Sequence, residues 1–256
     1  MDKMPVLFVG HGSPMNAIED NEFSTYWKSL SSLIPEPKAI LSISAHWFVS
    51  GLKVSDSEMP KTIHDFYGFP EELFAVEYPA PGSPKFAHKV KDLLQEDVSI
   101  DNSWGTDHGT WSVLHRMYPK ANIPVFQLSV DRKATPQDYY NIGKKIKTLR
   151  DEGVLIFGSG NIVHNLMSVN WRMPNKGYEW AYKFDNYIKE NILKTNHDNI
   201  INYTKEKPFA ELSVPTIDHF APLLYILGAT SKKDKITVFN EACTLGTLSM
   251  TSYLFK

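Results

Sequence analysis

The 256-residue chain is long enough for one large α/β domain or two small ones. With 42% hydrophobic and 22% charged residues it lies near the soluble globular average, and a net charge of −2 without blocks of like charge argues against a nucleic-acid partner, which needs a clustered basic face. The single cysteine, Cys243, excludes an internal disulfide and every cysteine-rich zinc motif, so any metal must rest on histidine and carboxylate ligands.

The first residues run straight into a strand of about five residues, too short for the apolar region of a signal peptide. No later run approaches the roughly 20 apolar residues that span a bilayer. The expectation is a cytoplasmic protein without membrane contact. Val6 to Val9 reads as a buried strand that stops at Gly10, and His11 follows between two glycines. Open α/β sheets place their sites at the C-terminal ends of strands. Glycines there remove side-chain bulk and let a ligand approach the backbone. Asn21 or Ser24 then opens a helix whose apolar residues, Phe23, Trp27, Leu30 and Leu33, recur at spacings of three and four. Pro35 and Pro37 end it. Residues 39 to 45 are apolar or small throughout, as in a strand covered on both faces, and they end in His46-Trp47. Two such strands joined by a helix form a βαβ unit, so His11 and His46 belong on the same edge of a parallel sheet.

Residues 51 to 83 are rich in turns, and their aromatics Phe66, Tyr67, Phe69 and Tyr78 speak for an ordered, functional loop. Ser83-Pro84 starts a helix with Phe86, Val90, Leu93 and Leu94 on its buried stripe. Residues 104 to 111 form a second loop of glycine and histidine, followed by a short helix from Val113 to Tyr118. Val125 to Val130 reads as a strand. Thr135-Pro136 opens a helix that stops at Gly153. Val154 to Phe157 is another buried strand, leading through Gly158-Ser-Gly-Asn to His164. A loop over 165–178 and a helix over 179–193 follow. Residues 196 to 212 are polar and weakly patterned. Thr216 to Gly228 reads as a capped helix, with Thr216 or Asp218 at its start and His219 in its first turn. Residues 236–239 and 248–254 are the final strands. Strands alternating with helices give one three-layer α/β/α domain over residues 1–256, with a mostly parallel or mixed sheet.

Five of the nine histidines, His11, His46, His108, His164 and His219, sit at element ends or on glycine-containing turns. Neutral imidazole is the commonest metal ligand, and a catalytic site typically keeps three protein ligands and one open position. His11 and His46 are the first pair. The third ligand must come from elsewhere, and His219 is attractive because its helix start could point at the same edge. A histidine left over is a candidate acid/base. Each residue also has an ordinary explanation. His88 and His197 read as solvated, His115 as a helix-face residue, and His64-Asp65 as a turn or a substrate contact. Trp47, Trp104 and Trp111 could be core. Gly158-Ser-Gly-Asn lacks the Lys-Ser/Thr of a Walker loop, and Ser13 and Ser159 lack a nucleophile elbow.

Gly-His-Gly-Ser-Pro-Met at 10–15, Ser-Ala-His-Trp at 44–47, Thr-Ile-His-Asp-Phe at 62–66, Tyr-Pro-Ala-Pro-Gly at 78–82, Trp-Gly-x-Asp-His-Gly-x-Trp at 104–111 and Gly-Ser-Gly-Asn-Ile-Val-His-Asn at 158–165 carry a resemblance. In order, and over nearly the whole chain, they resemble the DODA-type extradiol aromatic ring-opening dioxygenases of the class III extradiol superfamily. The resemblance implies a ring-cleaving dioxygenase that acts on a small DOPA- or caffeate-like catechol with O2. It implies Fe(II) held by His11, His46 and His219, with His164 as acid/base or as a fourth ligand in a resting site. His108 would line the pocket as a second catalytic residue, and His64, Asp107 and Trp47 are expected at the substrate. Protocatechuate-type enzymes of the wider superfamily use two histidines and a glutamate; here the third position resembles the all-histidine branch. Zn(II) is expected to bind the same residues, because it stands above Fe(II) in the affinity order. Residue chemistry alone leaves open a zinc-dependent hydrolase on the same histidines, with His164 as proton shuttle, or metal binding without catalysis.

Overall fold

The computed structural model describes residues 3–256, apart from the side chain of Glu96. β1 (Val6–Gly10) is buried along its length and leads to α1 (Glu22–Leu33). Asn21 and Ser24 share the start of α1: Ser24 N donates to Asn21 Oδ1 at 2.9 Å, and Asn21 N to Ser24 Oγ at 3.0 Å. β2 (Ala39–Ser44) is followed by the short strands β3 (Phe48–Val49) and β4 (Leu52–Val54). The single turn α2 (Glu71–Phe74) and the helix α3 (Pro84–Leu94) come next, then β5 (Val98–Ile100). α4 (His108–Met117), β6 (Val125–Gln127), β7 (Val130–Asp131), α5 (Pro136–Ile146) and β8 (Val154–Gly160) follow. The last part holds α6 (Glu179–Leu193), α7 (His197–Ile201), α8 (Phe209–Ser213) and α9 (Ala221–Ala229). It ends in β9 (Ile236–Phe239), β10 (Cys243–Thr244), β11 (Leu248–Ser249) and β12 (Ser252–Phe255).

The main sheet has six strands in the order β6-β2-β8-β1-β12-β9. β6, β2, β8 and β1 run parallel, while β12 is antiparallel to both β1 and β9. The sheet is therefore mixed, with a parallel centre. Strand side chains alternate between two apolar cores. Val6, Phe8, Val154 and Ile156 point to one, with residues of α3, α5, α6 and α9. Leu7, Val9, Leu155 and Phe157 point to the other, with residues of α1 and α4. Period-two alternation in a strand buried on both faces is what makes three layers. β1 and β2 are parallel, as the βαβ pattern requires, but β8 lies between them: Gly10 faces Gly160 and Ser44 faces Ser159.

Several boundaries differ from the sequence reading, each for a local reason. α4 starts at His108 rather than Val113, because Asp107 caps it: Thr110 N donates to Asp107 Oδ1 at 3.1 Å. α5 stops at Ile146; a 3-10 turn carries the chain to Glu152, and Gly153 closes it at φ 85°. The 125–130 strand divides, since Ser129 N turns to Lys53 O. β8 continues through Gly158-Ser-Gly160. Residues 248–254 are two strands, because Met250 N pairs with Ala242 O. The weakly patterned 196–212 holds α7 and α8. α9 begins at Ala221 without a side-chain cap, which leaves Asp218 and His219 in the turn before it. His197, read as solvated, is half-buried against the Tyr140 hydroxyl at 3.1 Å.

Candidate metal centre

The parallel strands deliver two histidines to one sheet edge. His11 directly follows β1, and His46 lies two residues beyond β2. His219 arrives from the turn before α9, which is laid across the end of β8: Asn161 N donates to His219 O at 2.9 Å. A Cβ on Gly160 would stand 2.1 Å from that carbonyl, so only glycine permits the approach. One ring nitrogen from each of His11, His46 and His219 lies within 4.8 Å of the others, and Nε2 of His11 is 3.1 Å from Nε2 of His46.

The outward-facing nitrogens have partners of their own. Ser159 Oγ donates to Gly109 O at 2.5 Å, so it can only accept from His11 Nδ1, 3.0 Å away. His46 Nδ1 is 3.2 Å from Asp65 Oδ2, and His219 Nδ1 is hydrogen-bonded to Asp218. These acceptors keep the hydrogen on Nδ1 and leave the Nε2 lone pairs of His11 and His46 facing one another. Two lone pairs cannot bond to each other; a cation placed between them satisfies both. Burial holds the His11 imidazole well below its ordinary pKa, with the charges of His219, His108 and His164 adding to it. Burial, then His108, does the same to His46. Both are therefore neutral near pH 7, the form that ligates metal. The donor set fits a divalent metal.

Two further histidines flank this trio. His164 stacks face to face on His219, with centroids 3.4 Å apart and planes 5° from parallel. Its backbone N donates to Ser213 O, but among the described residues its ring has no hydrogen-bond partner. Burial, then the charge of His219, keeps it well below the usual imidazole range, although Asp218 opposes this. His108 lies with its ring centroid 3.9 Å from that of His46. Its backbone N and its Nδ1 both contact Asp65 Oδ1, at 2.9 and 3.0 Å. Each carboxylate therefore lies beside two histidines: Asp65 beside His46 and His108, Asp218 beside His219 and His164. Burial disfavours both charges. The hydrogen bond and charge of His108 nevertheless hold Asp65 below the ordinary carboxylate range, and those of His219 hold Asp218 far below it.

Three residues expected at the substrate are occupied differently. Asp107 is fully buried, and its oxygens accept from Thr110 N, Ser44 Oγ, Trp104 Nε1 and Gln127 Nε2. No lone pair is left to aim at a ligand; Asp107 fastens α4 to β2 and β6. Trp47 is 2% exposed, a core residue. His64 donates from Nε2 to Val76 O at 3.0 Å and packs edge-on to Trp111 and Phe66, bracing its loop instead of joining the trio. Reading from residue types took Asp65 as part of a turn or a substrate contact, Asp218 as a helix start and Ser159 as no nucleophile, and missed that each partners a histidine of the cluster. Asp65 and Asp218 each follow or precede a histidine directly, and that adjacency was a usable signal; Ser159 had none, because its value lies in the β1–β8 register.

The chain is 44% identical over 255 residues to 4,5-DOPA dioxygenase extradiol of Escherichia coli (strain K12), covering 98% of this chain and 94% of that one. It is 35% identical to 4,5-DOPA dioxygenase extradiol of Beta vulgaris, covering 97% and 95%. A solved structure of an uncharacterized protein from Escherichia coli K12 superposes with a TM-score of 0.87 at 40% identity, covering 99% of this chain and all of that one. These relatives lend no support to the hydrolase alternative. Residues 5–256 match the family described as the catalytic LigB subunit of aromatic ring-opening dioxygenase, and the chain belongs to that family of metal-dependent extradiol dioxygenases.

Proposed function

We propose that this dioxygenase opens a small catechol of DOPA or caffeate type beside its paired hydroxyls, using O2 and Fe(II) held by His11, His46 and His219, in one catalytic domain working in the cytoplasm. The carrying observation is the convergence of three Nδ1-anchored imidazoles with a fourth, His164, whose ring is unbonded. The names of the bacterial and plant relatives support the catechol class. Bound Fe(II) would supply positions for the catechol oxygens and, unlike Zn(II), redox chemistry toward O2.

The protein's own part is proton handling and positioning. His164, neutral because of its burial and its neighbour His219, accepts a catechol hydroxyl proton on a ring nitrogen and returns a proton as the ring opens. We assign it this role rather than fourth ligand, because an imidazole without a partner is free to cycle between the two states. His108, tied at Nδ1 to Asp65, keeps its hydrogen there and serves to contact substrate through Nε2. Phe66, edge-on to His108 at 5.4 Å, supplies an apolar wall beside that contact.

The test is anaerobic loading with Fe(II) or Zn(II), followed by O2 and a panel of 4-substituted catechols. The iron form is expected to consume one O2 per catechol and release a yellow ring-opened semialdehyde, while the zinc form stays silent. No oxygen uptake with any catechol would overturn the reading.

A further inference from the structure

Asp65 is a buried carboxylate between two histidines, and its side chain is only 10% exposed. Its Oδ1 accepts from both the backbone N–H and the ring Nδ1 of His108, the first residue of α4. Its Oδ2 is buried without a hydrogen bond, and the nearest ring nitrogen is His46 Nδ1 at 3.2 Å, close enough to form one. A carboxylate has no hydrogen to give, so each ring nitrogen that faces it must be the one that carries the hydrogen.

The loop that presents Asp65 is fastened on both sides. Ile63 N donates to Thr106 O at 2.9 Å, and Thr106 N to Lys61 O at 2.8 Å. Trp111 Nε1 donates to Ile63 O at 2.9 Å, and His64 Nε2 to Val76 O at 3.0 Å. A Cβ on Gly105 would stand 2.3 Å from Lys61 O, so the two segments lie as close as glycine allows. The neighbouring Asp107 cannot substitute, because its oxygens are already taken by four donors.

We propose that Asp65 is a positioning residue that sets two tautomers at once, keeping the hydrogen on Nδ1 of both His46 and His108 so that each presents Nε2 as an acceptor. At His46 the acceptor becomes a metal ligand. At His108 it receives a substrate hydroxyl. One side chain thereby joins metal affinity to substrate orientation, whereas Asp218 hydrogen-bonds only one of its two histidines, His219. The inference rests on the metal-centre reading, and not on the identity of the catechol.

Long-range 1H–15N correlation spectra of metal-free, 15N-histidine-labelled protein read the tautomers directly. His46 and His108 are both expected as Nδ1–H. In Asp65→Asn the amide places an N–H group against one ring nitrogen, so at least one of the two histidines switches to Nε2–H. Zn(II) affinity, measured by chelator competition, is expected to fall about 10- to 100-fold in Asp65→Asn and to recover in part in Asp65→Glu. Asp56→Asn, which removes the partner of the exposed His88, should change neither readout. An Nε2–H tautomer at His46 or His108 in the unsubstituted protein would overturn the proposal, whether or not the variant folds. So would a folded Asp65→Asn with unchanged tautomers and Zn(II) affinity within threefold of the parent. Neither readout uses turnover, so a protein that passes both yet consumes no O2 would count against the dioxygenase reading alone.

Discussion

The two carboxylate–histidine units on either side of the metal centre are built from similar parts and behave differently. Asp65 reaches in from a loop remote in sequence and engages both of its histidines, so His108 is held at two points. Asp218 is the immediate neighbour of His219, bonds to it, and leaves the stacked His164 ring without a partner. A tethered imidazole keeps one tautomer and serves as a fixed acceptor. An untethered one has no neighbour fixing its tautomer or its orientation. On the reading proposed above, orientation falls to the Asp65 side and proton transfer to the Asp218 side.

The comparison breaks first at the histidines the two units share the metal with. His46→Ala or His219→Ala removes a proposed ligand nitrogen, and Zn(II) binding should weaken by more than about 100-fold, a larger loss than outer partners cause; calorimetric titration with Zn(II) checks it. The sharpest division between the units comes from His164→Ala. Turnover should fall about 10²- to 10⁴-fold, the range for a lost general acid–base, while Zn(II) affinity stays within a few-fold. An equal loss in His108→Ala, measured under the same conditions, would erase the distinction drawn here. Asp218→Asn should lower Zn(II) affinity by about 10- to 100-fold through His219 while the Nδ1–H tautomer of His108 is untouched.

The smallest effect at the metal centre is expected from a carboxylate outside both units. Asp185, on α6, has no histidine; Ser249 Oγ and Thr251 Oγ1 donate to it. Burial outweighs those bonds and raises its carboxyl from 3.8 to about 6. The folded protein thus keeps a proton that the unfolded chain releases near pH 4. Its contribution is fully present below about pH 4 and is lost as pH rises through about 6, on the order of 3 kcal/mol by neutrality. Denaturant unfolding of Asp185→Asn beside the parent should show their stability difference changing over that interval, with metal affinity unaltered. A difference independent of pH would mean that Asp185 ionises normally, and that burial alone does not distinguish it from Asp65 and Asp218.

Much of the scaffold was legible from residue order. Apolar runs bounded by Gly10, His46 and Gly158 marked the buried strands, and Asn21 and Thr135 marked two helix starts. Those signals are local: periodicity and capping act within a few residues, so a linear reading captures them. Short elements escaped, among them α2, α7 and α8, because one helical turn carries too little periodicity and is held by its tertiary neighbours.

By itself the sequence determined the strand ends that carry His11 and His46, the restriction of any metal to histidine and carboxylate donors, and the motifs that resemble ring-opening dioxygenases. The tertiary structure alone decided which carboxylate serves which imidazole. Asp107 and Asp65 stand beside neighbouring histidines in similar motifs, yet one caps a helix and the other faces two rings. It also decided that β8 separates β1 from β2, which sets Ser159 against His11. Hydrogen-bond roles at a metal centre depend on ångström-scale approach between segments far apart in sequence, and no local pattern encodes that distance.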